Sequence, residues 1–252
     1  MQQLVYFSDA KARQFVSEKR RLPALTALRF SATVGLPFAE ATPEAEFKPQ
    51  SAGAARIIQR ITKEIDRSQR PAPYYEDPTV RTGDWVQFET DLCAALISFR
   101  SHRMVFFAPS PEVTGDVVLL LYGSPRHKIG SLLDQTAVGV QDLDSDYSSL
   151  AMMVQSAAEG DMEDVTVASA DDFRIGAAKM AERVNQHCHS FSPMFGYAQV
   201  IAVLDCSRRI ALGGIDGAPQ HWPTRLVVAS PLFVEHSGTR PNPGWSFGAP
   251  ED

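Results

Sequence analysis

Apolar and polar positions alternate one by one at the start of Trp85–Leu96 (WVQFETDLCAAL). Val86, Phe88 and Thr90 fall on one side, with Gln87, Glu89 and Asp91 on the other. That period predicts a strand with a buried face and a wet, acidic one. Its three polar residues meet bulk water on the commoner reading and line a cavity on the other. MVFFA at 104–108 predicts a second strand, closed by Pro109-Ser110-Pro111. Val117–Tyr122 is an unbroken apolar run between Gly115-Asp116 and Gly123-Ser124. Such a run is expected of a strand buried on both faces. Residues 83–122 therefore predict three consecutive antiparallel strands.

Further strands are expected at Leu4–Phe7, Leu25–Leu36 (bulged at Gly35), Tyr197–Leu204, Ile210–Leu212 and Arg225–Ala229. Helical spacing marks Ala10–Arg20, capped by Ser8-Asp9, with Ala12, Phe15 and Val16 on its apolar side. It also marks Ala54–Arg67, striped by Ile57, Ile58, Ile61 and Ile65, and Ser148–Ala158. The clearest helix is Ala170–Cys188, capped by Ser169, with Phe173, Ala177, Met180, Ala181 and Val184 in register. Prolines mark connectors at 37–52 and 71–78. The second carries Tyr74-Tyr75, which read as packing the loop onto the domain or stacking on a ligand. The expected fold is α+β: mostly antiparallel sheet of about 7–9 strands with roughly three to four packed helices. One domain is expected over residues 1–236, with 237–252 as a flexible Pro/Gly-rich tail.

Composition narrows the function classes. A net charge of −6 argues against a nucleic-acid binder, and Lys19-Arg20-Arg21 is too short a basic run to reverse that. No apolar run approaches the length of about 18 residues that a membrane helix needs, and no signal peptide opens the sequence. A cytoplasmic protein is expected. Cys93, Cys188 and Cys206 are odd in number and share no spacing, so they read as reduced thiols. Neither metal nor cofactor is expected. His187-Cys188-His189 lacks zinc spacing, and Asp142, Asp144 and Asp146 lack the glycine and glutamate of a calcium loop. No nucleotide-binding loop or Gly-x-Ser-x-Gly turn is present.

The stretch with most chemistry is GSPRHKIG at 123–130. Gly123 reads as a position needing special backbone freedom, and Pro125 as the end of pairing. Ser124, Arg126, His127 and Lys128 then stand at the end of a rigid strand, where ligand sites are often built; a plain solvated turn is the alternative. Arg126 suits a forked contact to a carboxylate or phosphate, and His127 a proton transfer near neutral pH. Ser8 and Asp9, at the start of a helix fed by a strand, form a second anion-binding candidate. The chain also carries one internal echo. LLLYGSP at 119–125 and LVVASP at 226–231 share apolar strand, small residue, Ser and Pro, with VFFAPSP at 105–111 a looser copy. It would fit duplicated halves, each with its strand ends at one rim.

YFSDAKARQF at 6–15, GSPRHKIG at 123–130 and VVASPLFVE at 227–235 together resemble a family of bacterial proteins, mainly from actinomycetes, that carries a domain of unknown function. The resemblance spans nearly the whole chain. It implies a single cytosolic domain whose distinctive residues are Ser8, Asp9, Lys11, Ser124, His127 and Ser230, and a setting in regulatory or defence systems; it supplies no reaction. Three functions compete. The first is a binding or accessory protein whose pocket takes a small anion on Ser8, Lys11, Arg126, Lys128 and Ser230. The second is an enzyme with His127 as general acid or base, Asp9 orienting it and Ser124 as substrate ligand or nucleophile. The third is a scaffolding subunit contacting partner proteins through the Trp85 strand and the tail.

Overall fold

The computed structural model describes residues 3–17, 52–69, 71–99, 102–110, 116–129, 141–159, 170–188, 190–206 and 223–237. The strands expected at 25–36 and 210–212, the first connector and nearly all of the tail lie outside them. Seven strands are described: β1 (Gln3–Phe7), β2 (Trp85–Phe99), β3 (His102–Pro109), β4 (Val117–Gly123), β5 (Gln141–Asp142), β6 (Ser192–Asp205) and β7 (Arg225–His236). The described helices are α1 (Asp9–Ser17), α2 (Ala52–Gln69), α3 (Tyr147–Glu159) and α4 (Ala170–His187).

Five of the strands close on themselves. β2 pairs β3 through its second half, from Leu92 to Phe99, and β6 through its first, from Trp85 to Leu92. β3 pairs β4, β4 pairs β7, and β7 pairs β6 along its whole length, completing a barrel in the order β7-β4-β3-β2-β6. Pairings are antiparallel except β4–β7 and the short β3–β5. The α+β class with mostly sheet thus matches expectation, and the antiparallel character does so only in part, since β4–β7 and β3–β5 are parallel. The closure does not follow from local patterns, because it depends on contacts between distant segments.

Alternation sorts the apolar side chains. Val86, Phe88, Leu92, Val105, Phe107, Leu119, Leu121, Val227 and Ala229 fill the barrel. Their neighbours Ala95, Ile97, Met104, Phe106, Leu120, Tyr122, Leu226 and Val228 face outward under α3 and α4. β4 is therefore buried on both faces, as its unbroken run predicts. A second outer patch, with Leu232, Phe233 and Trp85, is covered by Ala12 of α1 and Ile58, Ile61 and Ile65 of α2. Tyr75 and Val80 close the interior, and their loop is held by the Tyr75 amide donating to the Gln87 carbonyl, the Gln87 amide donating to the Pro73 carbonyl, and the Arg225 guanidinium on the Asp77 and Val80 carbonyls. Tyr75 therefore packs the loop down.

Three expectations need correction. Cys93 faces outward, by the same parity as Ala95, beneath the end of α4. There it forms a disulfide with Cys188, the Cα atoms 6.1 Å apart. Only Cys206 is a free thiol. The pairing depends on how α4 crosses β2, which spacing along the chain does not encode. Gly123, next, does not need a left-handed backbone, since Gly83 is the positive-φ glycine among the described residues. A β-carbon at Gly123 would instead overlap the hydroxyl and ring of Tyr6. Finally, Ser230-Pro231 does not end a strand. β7 runs through it to His236, with a register shift opposite Tyr197 and Ala198 that accommodates the proline.

Thiol titration of the denatured chain should find one reactive group before reduction and three after. Gly123→Ala should cost about 1–3 kcal/mol of unfolding free energy from overpacking. The cost in urea melts should shrink when Tyr6 is also changed to Phe, which withdraws the hydroxyl in the way.

Candidate functional site

β7 changes neighbours halfway along one edge. β4 pairs residues 225–229, and β1 pairs residues 233–236. Between them Ser230, Pro231 and Leu232 lack a strand partner on that edge, and the Ser8 amide closes the gap by donating to the Leu232 carbonyl at 2.8 Å. Ser8 is also the cap of α1, its carbonyl accepting from the Ala12 amide at 3.0 Å. Ser230 faces outward, in the seam between the patch under α3 and α4 and the patch under α1 and α2. The first turn of α1 lies over that seam, and the Lys11 ammonium donates to the Ser230 hydroxyl.

The stretch after β4 reaches the same place. Pro125–His127 form one 3-10 turn, in which the His127 amide donates to the Ser124 carbonyl and the Lys128 amide to the Pro125 carbonyl, each at 3.1 Å. The chain then runs antiparallel to β1, with Lys128 bridged to Tyr6 and the Ile129 amide donating to the Val5 carbonyl at 2.8 Å. The His127 ring stands edge-on to Tyr6, centroids 5.9 Å apart. Segments from the start, middle and end of the chain thus meet here. Sequence reading had no signal for Tyr6 as the shared support, beyond its place at the head of YFSDAK.

The polar content of the seam is unusual for its burial. Ser8, Ser124 and Ser230 are at most 1% exposed and Lys11 is 7% exposed. The hydroxyls of Ser8 and Ser124 have no hydrogen-bond partner among the described residues. A buried hydroxyl left so costs roughly 1–3 kcal/mol, which favours a ligand or water supplying the missing partner. Burial pulls the Lys11 ammonium down to about 8 from its usual 10.5. Burial also lowers His127, opposed by the Asp9 charge and reinforced by Lys11. Lys128 is half-buried and lowered for the same reason, whereas Arg126 stands exposed. Tyr6 is raised strongly by burial, with the Ser124 backbone pulling the other way. Lys11, Ser8, Ser230, His127 and Asp9 therefore share one electrostatic neighbourhood, and Ser124 anchors the turn that carries His127.

The remaining candidates have structural partners. Asp142 pairs with Arg103, and Asp146 caps α3 by accepting from the Ser149 amide at 2.6 Å. Cys188 is taken by its disulfide. Trp85 is buried against Phe15, ring centroids 5.2 Å apart. The echo also finds a physical form. β4 and β7 are parallel neighbours, with Leu121 beside Ala229, so Ser124 and Ser230 point to the same end of the barrel. VFFAPSP belongs to antiparallel β3, and its Ser110 lies at the opposite end.

The chain belongs to a family of unknown function (DUF7019), whose model matches residues 2–238. No curated protein and no solved structure matches it. Among the described residues no helix is long and apolar enough to cross a membrane.

Lys11 sets a pH dependence of stability. Unfolded it titrates near 10.5, folded at about 8. Between those values the unfolded chain holds more protons, so stability rises with pH across that window. The cost of the buried ammonium is fully present below it. Lys11→Met should therefore gain most on wild type near pH 7, and the gain should fade toward pH 10.5 in paired urea melts without added phosphate.

Proposed function

We propose that the protein binds a small anion, a phosphate or a carboxylate, at the seam over Ser230, and acts as a binding or accessory protein. The observation that carries this reading is Lys11. It is a buried ammonium whose one hydrogen-bond partner among the described residues is a neutral serine hydroxyl. Buried charges are normally paired, and an unpaired one is costly. An anionic ligand would supply the missing charge. It would also find the positive end of α1 and the hydroxyls of Ser8 and Ser124. His127 and Lys128 border the seam from the Pro125 turn, and exposed Arg126 would draw an anion from solvent.

A second reading, an enzyme acting on the same anion, rests on His127. Its half-buried ring feels both Asp9 and Lys11, which is the setting in which a proton could be moved. Ser124 would then bind substrate rather than attack it, since its hydroxyl stands in no nucleophile turn.

Differential scanning at constant ionic strength tests the proposal. Phosphate or a small carboxylate at about 100 times its Kd should add about 2.7 kcal/mol and raise Tm by roughly 5 °C or more. Lys11→Met should abolish the rise, while Arg126→Ala should reduce affinity only a few-fold. Equal Tm in chloride, phosphate and carboxylate would overturn the proposal. Loss of substrate turnover in His127→Gln, with binding retained, would separate the enzyme reading from simple binding.

A further inference from the structure

Lys11 has a second chemical capacity besides charge. It is the one lysine among the described residues that is buried, and its Nζ is held by a single acceptor, the Ser230 hydroxyl. A neutral amine that donates an N–H to that oxygen turns its lone pair away from it, toward whatever else occupies the seam. Two buried hydroxyls without partners, Ser8 and Ser124, belong to the adjoining cap and turn. A titratable imidazole, His127, lies within electrostatic reach of the amine. Desolvation, a positioned amine, hydroxyl donors and a proton carrier are what an amine nucleophile requires.

We propose that Lys11 forms an imine with a small anionic carbonyl compound, such as a 2-oxo acid or a phosphorylated aldehyde. This rests on the anion-binding reading, because the anionic group of the same molecule is what brings its carbonyl to the seam. In the step, the Lys11 nitrogen lone pair attacks the carbonyl carbon and a C–N bond forms. The carbonyl oxygen takes a proton to become the carbinolamine hydroxyl, and that hydroxyl leaves as water once protonated. Nitrogen loses its remaining protons, leaving C=N. No electrons are exchanged with an outside partner. His127 is placed to carry the protons, and the serine hydroxyls to hold the oxygen before it departs. The depressed affinity of Lys11 for its proton supports the step by leaving part of the amine neutral near pH 8.

The test is reductive trapping on the full-length wild-type chain. Pyruvate, glyceraldehyde 3-phosphate and neutral propionaldehyde are each incubated with the protein and sodium cyanoborohydride. Adducts are then located by peptide mass spectrometry. The expected result is modification of Lys11 by the two anionic probes at least tenfold faster than of exposed Lys63 in the same molecules. Propionaldehyde should show no such preference. Modification of Lys11 no faster than of Lys63 by either anionic probe overturns the proposal. Lys11→Arg keeps a cation but cannot form the imine. If Lys11→Arg and wild type both show the phosphate-induced rise in Tm while wild type gives no Lys11 adduct, the imine is wrong and anion binding stands. If no anion raises Tm and trapping at Lys11 shows no preference for anionic over neutral carbonyls, the anion reading fails with it.

Discussion

A barrel strand that exchanges one neighbour for another must leave a short length of its edge without a partner, and residues 230–232 of β7 are that length. Backbone groups in a buried sheet cannot be left unsatisfied, so something has to dock there. The Ser8 amide does so, and in docking it fixes where α1 begins. The position of Lys11, the covering of Ser230 and the seat of the Pro125 turn beside β1 all follow from that junction. Pro231 is accommodated on the other edge, at the register shift against β6.

The polarity of the seam contrasts with its surroundings. On either side the outer face of β7 is apolar, with Leu226 and Val228 under one helical layer and Leu232 under the other. A leucine or methionine at position 11 would have joined those layers without the penalty of desolvating an amine. An ammonium placed there instead works against stability and needs a reason in what it meets. The same logic separates it from Arg103 and Arg225, whose guanidinium groups already have oxygen partners in the chain.

Much of the secondary structure was legible because single elements carry their own period. Alternation marked β2, the double-faced run marked β4, and helical stripes marked α2 and α4. Barrel closure was not, because it depends on β7 pairing with β6 along its whole length through Pro231, which reads locally as a break. The disulfide was equally hidden, since Cys93 and Cys188 are 95 residues apart and meet only once α4 is laid across the sheet. For the site, Ser8, Lys11, His127 and Ser230 were legible as short motifs, and their meeting was an expectation from the strand ends. The interlock of Tyr6 with Gly123 was not, because a glycine in an extended strand looks the same whether it serves a turn or makes room for a ring.

The pairing of β1 with β7 also sets the order in which the molecule can be finished. Ser8 leaves the ribosome early, and Ser230 emerges more than two hundred residues later. Until that last ribbon is threaded between β6 and β4, the barrel is open and Lys11 has no hydroxyl to meet. A truncated translation product would thus carry most of the motifs and none of the seam, so the lysine becomes buried only when synthesis has reached β7.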